Sequence, residues 1–243
     1  MKPFSGFILT LLLTGLLSVP CELEADIAPL QVTGGTAAAK SYHETIRMDS
    51  EEVNIRLEES SYTVDAVFQF SNSGETITEW VGFPKGDDGF EAAANVHPFA
   101  PSGRSDLPDF VQFQAWVDGK KVPFSEEGKR WMAAQVTFPG HATTTIRVVY
   151  EANYYRGTLA RYIVGTGSYW KDSIGRAAFT VAGAAVGGTN RFSAQLDAFK
   201  SDKFVTDNAV RIEVADYEPK PEATLQIGVN RPRPVKANYI KPR

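Results

Sequence analysis

Beyond Thr45 the hydrophobic positions recur at every second residue. Ile46 and Met48, then Val53, Ile55 and Leu57, then Tyr62, Val64, Ala66, Phe68 and Phe70 are separated by polar side chains. A period of two marks strands with one buried and one solvated face. "SNSGE" at 71–75 supplies turn residues, and "TITEWVGFP" reads as the return strand of a hairpin, ending at Pro84 because proline donates no ladder hydrogen bond. The pattern resumes in "FVQFQAWVDGKKVPF", where Val111, Phe113, Ala115 and Val117 alternate with Phe110, Gln112, Gln114 and Trp116. Asp118–Gly119 is the dipeptide of a tight type I′ turn. Further strands are predicted at "WMAAQVTFP", "TTTIRVVYEANY", "RYIVG", "RAAFTVA", "RFSAQL", "AVRIEVA" and "ATLQIGV". No amphipathic helix exceeds a turn or two. Short strands at regular spacing with Gly and Pro between them predict an all-β fold, an antiparallel β-sandwich in a single domain.

The ends of the chain read differently. Lys2, the apolar run "FSGFILTLLLTGLLSVP" and a small residue at Ala25 have the order of a signal peptide over residues 1–25. The β domain then occupies 26–230. Residues 231–243, "RPRPVKANYIKPR", are basic and proline-rich, the composition of an extended, disordered tail. Cys21 is the one cysteine, and it falls inside the leader. Pro20 before it is a poor fit to a lipid-attachment site, so the mature chain is expected to lack thiols, disulfides and thiolate metal ligands. The net charge of −4, or −3 once the leader is removed, points away from nucleic acid. Leader cleavage would leave no stable membrane span.

Candidate chemistry is sparse. His43, His97 and His141 are isolated, without ligand spacing for zinc. "GDDG" at 86–89 sets Asp87 and Asp88 together in the long connection 85–108, a weak cation candidate that reads better as a solvated turn. No GxSxG elbow is present. No cofactor is implied.

Aromatic residues carry more information. Most of Trp80, Trp116, Trp131, Trp170, Tyr154, Tyr155 and Tyr169 are expected to anchor a core. Trp116 differs, because alternation sets it with Gln112 and Gln114 on the polar face, where it would stack on a sugar ring, meet a protein, or simply shield the sheet face under a loop. The stretch "YIVGTGSYWKDSIGRAAFTV" at 162–181 has two readings. In the favoured one, Tyr169 and Trp170 close one end of the sandwich between glycines; in the other, Tyr169, Trp170 and Lys171 form a binding loop.

Taken in order, "QVTGGTA", "IRMDSEEVNI", "VGFP", "WVDGK", "VVYEANY", "GTGSYWKDSIGRAAFTV" and "YEPKPEATLQIGV" resemble a family of uncharacterised exported bacterial proteins, a domain of unknown function. The resemblance implies an all-β exported domain and carries no site residues with it. The expectation is a periplasmic or secreted, non-catalytic binding or interaction module whose partner is an envelope protein or a glycan. The alternative is a carbohydrate-active hydrolase working through a carboxylate pair. Oligomeric state is left open by the sequence.

Overall fold

The structure, a computed structural model, describes residues 38–39, 43–84, 110–127, 131–154, 157–197, 201–220 and 223–230. The leader, the 85–108 connection with Asp87, Asp88 and His97, and the 231–243 tail lie outside the described residues. Fifteen strands occupy most of the remainder. The first eight are β1 (Ala38–Ala39), β2 (Ile46–Leu57), β3 (Ser61–Asn72), β4 (Ile77–Pro84), β5 (Phe110–Val117), β6 (Lys120–Val122), β7 (Ser125–Glu127) and β8 (Trp131–Phe138). They are followed by β9 (Ala142–Asn153), β10 (Leu159–Ile163), β11 (Ile174–Ala182), β12 (Phe192–Leu196), β13 (Asp202–Val205), β14 (Ala209–Tyr217) and β15 (Thr224–Val229). Helical geometry among the described residues is limited to 3₁₀ turns such as Gly165–Tyr169. The fold is all-β, as the alternation predicts.

An eight-stranded sheet runs in the order β13-β14-β11-β2-β3-β9-β5-β6, beside a four-stranded sheet, β1-β4-β8-β7, and a three-stranded sheet, β10-β15-β12. The hairpin expected from β3 into β4 does not form. β4 instead pairs with β8 in the four-stranded sheet, from Ile77↔Phe138 to Pro84↔Trp131. Asn72 redirects the chain: its side-chain amide donates to the carbonyls of Glu75 (2.7 Å), Phe138 (3.1 Å) and Pro139 (3.3 Å), and its Oδ1 accepts from Gly74 N–H (3.0 Å). Asn72 thereby ties the end of β3 to the end of β8 and sends β4 across to the other sheet.

The sheets are not antiparallel throughout, contrary to expectation. β11 runs parallel to β2, from Arg176↔Ser50 to Ala182↔Arg56, and antiparallel to β14. A tight hairpin forces reversal, whereas a strand arriving by a long connection can enter in either direction. β11 arrives from β10, a member of the three-stranded sheet, and fills the flank of β2 that β3 leaves open.

Two bulges set which residues face inward. Between β2 and β3 the register passes from Met48↔Phe70 to Ser50↔Gln69, leaving Asp49 as the extra residue. The inward positions therefore change from 46 and 48 to 51, 53, 55 and 57. In β5 the register shifts between Phe110 and Gln112. Val111 is exposed rather than grouped with Phe113, and Phe110 turns inward onto Tyr150, with ring centroids 4.6 Å apart.

One apolar cluster joins all three sheets. Phe68 meets Phe83 at 5.8 Å and Phe70 meets Phe138 at 5.6 Å, linking the eight- and four-stranded sheets. Tyr162 meets Phe179 edge-on at 6.0 Å, linking the three-stranded sheet to the eight-stranded one. Each such buried aromatic contributes on the order of 2 kcal/mol through surface removed from water.

Candidate functional site

The outward face of the eight-stranded sheet carries the polar half of the alternation. Trp116 lies there, half-buried, directly opposite Arg147 on β9 and Lys121 on β6. The Arg147 guanidinium carbon sits 5.3 Å from the Trp116 ring centre, within cation–π range. Arg147 is in turn held by a two-point bond to Asp65 on β3: Nε donates to Oδ1 at 2.9 Å and Nη2 to Oδ2 at 2.7 Å. That hydrogen bond, with the attraction of the carboxylate, raises the Arg147 pKa further. The result is an arginine held by a carboxylate and lying over the indole.

Gln112 and Gln114 share this face with Trp116. Gln112 Nε2 donates to Glu151 Oε2 and Lys121 Nζ to Gln114 Oε1, both at 3.4 Å. Further along the same face Arg211 donates to Glu52 Oε1 (2.7 Å), Glu213 Oε1 (2.6 Å) and Thr180 Oγ1 (2.8 Å). Arg176 reaches the same two glutamates at 3.4 and 3.2 Å. The hydrogen bond from Arg211 holds the Glu213 carboxyl below the usual carboxylate range. Exposed pairs of this kind add little stability, about 0–1 kcal/mol each. Their effect is on the surface: the carboxylates of Asp65, Glu52 and Glu213 are each committed to an arginine.

The 162–181 stretch is strand, aromatic closure and strand. Trp170 is 1% exposed. Its ring lies 4.6 Å from Phe70, 5.8 Å from Phe138 and 5.7 Å from the near-parallel His43 imidazole. Trp170 is therefore a core residue at the seam between sheets, not a ligand-contacting surface. Lys171 is half-buried and its backbone N–H donates to Ile46 O at 2.8 Å, which fastens the loop to the start of β2. The side chain of Tyr169 lies outside the described residues. The fold does not bring Trp170 and Lys171 together with Trp116 in a shared surface: Trp116 lies on the outer face, whereas Trp170 packs in the interior.

The sequence reading missed Glu51. Its carboxylate is 0% exposed and accepts a hydrogen bond from Tyr162 Oη at 2.7 Å, a polar tie between the eight- and three-stranded sheets. Glu51 also bears on two further tyrosines. Burial raises the Tyr150 phenol well above its ordinary value, with Tyr62 and Glu51 adding, and burial raises Tyr217, with Asp197 and Glu51 adding. The signal was present in the sequence: apolar positions are even-numbered up to Met48 and odd-numbered from Val53, which requires a bulge and places residue 51 inward. Among the described residues no three His, Cys, Asp or Glu side chains cluster as a metal site.

Among solved structures, a candidate nutrient-binding protein of Legionella pneumophila subsp. pneumophila is similar to this chain at 17% identity and a TM-score of 0.58, over 82% of this chain and 72% of that one. An M1 zinc metallopeptidase of Deinococcus radiodurans aligns at 10% identity and a TM-score of 0.43, over 77% of this chain and 43% of the peptidase. No curated protein sequence matches significantly. The resemblance read from the ordered motifs is met at the family level: residues 28–137 match the model of a domain of unknown function, DUF4424.

Proposed function

We propose that this chain is an exported, non-catalytic binding module of a bacterial cell envelope, a β-sandwich that meets its partner through the outer sheet face centred on Trp116 and Arg147. The observation that carries the reading is the Arg147–Trp116 stack held by Asp65. Trp and Arg are the residue types that dominate binding hot spots, and side chains already fixed lose less freedom on association. Gln112, Gln114, Glu151 and Lys121 supply a polar rim. A sheet surface of this composition suits a protein partner. The fold shared with a candidate nutrient-binding protein is compatible with a binding role.

The test is capture by the immobilised mature chain, residues 26–243, from envelope extract separated into protein and glycan fractions. Trp116→Ala is expected to abolish capture from the protein fraction while the melting temperature stays near that of wild type, because the ring is half-buried on an outer face. Undiminished capture by the variant, or a large fall in its melting temperature, refutes the assignment. Capture from the glycan fraction alone moves the partner class to sugars.

A further inference from the structure

We propose that β13 is the pairing edge of a homodimer, in which this strand of one copy lies antiparallel to the same strand of a second copy across a twofold axis at Phe204. β13 ends the eight-stranded sheet and, among the described residues, has a strand neighbour only in β14. Its apolar side chains are left in water: Phe204 is 56% and Val205 60% exposed. An open ladder edge with exposed apolar residues is a template for another strand.

The phase of the ladder identifies which backbone groups are free. Thr206 N–H donates to Ala209 O at 2.9 Å at the head of the β13–β14 hairpin. Bonded and non-bonded pairs alternate in an antiparallel ladder. Phe204↔Arg211 and Asp202↔Glu213 are then the bonded pairs, so Lys203 and Val205 turn their N–H and C=O groups to the open side.

Symmetry and charge restrict the register. A twofold axis normal to the sheet keeps the two outer faces on one side, so each residue must oppose one on its own face. Three registers keep the strand overlapped, with the axis at Lys203, Phe204 or Val205. The first sets the two Lys203 side chains directly opposite one another, which like charge disfavours. The third carries Lys203 past the strand end, against the turn residue Asp207. With the axis at Phe204, Lys203 opposes Val205 of the other copy twice, so all the free backbone groups of both residues pair and the two aromatic rings meet. Each Lys203 ammonium stays with the Ala194 carbonyl it already reaches at 3.0 Å. The dimer would carry both Trp116 faces on one side, as a bivalent surface.

Sedimentation velocity on the mature chain, from low-micromolar to near-millimolar concentration, is expected to show a monomer–dimer equilibrium. Phe204→Lys should remove the concentration dependence without altering the circular dichroism, whereas Val111→Lys, at an exposed site on the far side of the sheet, should leave it intact. Because the mature chain lacks cysteine, single substitutions report the register. Residues opposed at a non-bonded pair sit about 4.5 Å apart at Cα, within disulfide reach. Phe204→Cys is therefore expected to cross-link under mild oxidation and Lys203→Cys and Val205→Cys are not. Wild-type protein that stays monomeric throughout, or equal cross-linking at all three positions, overturns the proposal.

Discussion

Replacing Trp170 by alanine tests the placement of the 162–181 stretch at the seam of the sheets. The indole is 1% exposed and packs on Phe70, Phe138 and His43. Buried Trp→Ala changes cost about 3–5 kcal/mol, from lost transfer free energy and from the cavity left behind. Collapse around the gap is restricted because the neighbours belong to different sheets, Phe70 to β3 and Phe138 to β8. Domains have total stabilities of about 5–15 kcal/mol, so the variant stays folded with much of its margin gone. For a chain of this size each kcal/mol lowers the melting temperature by about 2–4 °C, giving a fall of roughly 6–20 °C. Differential scanning calorimetry and urea titration of residues 26–243 as wild type, Trp170→Ala and Trp170→Phe would measure it, with the phenylalanine variant intermediate. A Trp170→Ala protein within about 1 kcal/mol of wild type refutes the reasoning, since a ring tolerating deletion at that cost is not a core anchor.

Two further outcomes concern the buried tyrosines. Tyr162→Phe removes the hydroxyl that donates to Glu51 Oε1 at 2.7 Å while keeping the ring on Phe179; a loss of about 1–3 kcal/mol is expected in urea titration, the cost of taking one partner from a buried polar group, and an unchanged midpoint would show that the tie contributes nothing. Raised phenol pKa values at Tyr150 and Tyr217 mean that the fold holds these groups neutral after the unfolded chain has begun to ionise. Their stabilisation is complete below the unfolded value near pH 10 and is lost as pH rises beyond it. Melting temperature should therefore drop steeply above about pH 10 and less steeply in Tyr150→Phe, and coincident profiles would contradict this.

Period-two alternation was enough to locate most strands, though not the short β1, β7 and β13, because burial on one face is a local demand written into each longer segment. It also placed Gln112, Gln114 and Trp116 together on an outer face. Partner choice was not legible. Nothing between Asn72 and Ile77 distinguishes a hairpin from a crossing, since the deciding contacts are the Phe138 and Pro139 carbonyls that Asn72 reaches. The direction of β11 beside β2 was hidden for the same reason. Of the adjacent acids Glu51 and Glu52, Glu52 faces the outer arginines and Glu51 the tyrosines, a split set by the bulge at Asp49. The Arg147 cover on Trp116 depends on strands distant in sequence meeting in one register, which alternation within β5 does not encode.

The parallel seam between β2 and β11 bears on where this protein can be cut. Residues 28–137 are the portion that matches the family, yet they stop short of β9 and β11, the strands that flank β3 and β2 in the eight-stranded sheet. A fragment ending there would present the two longest strands of its first hairpin with both outer ladders unmade and Val53, Ile55, Phe68 and Phe70 uncovered by the neighbours that complete the layer. The matched portion and the folding unit thus differ: the sheet closes at its centre only when β9 and β11 have been supplied. Long-range closure of this kind slows folding.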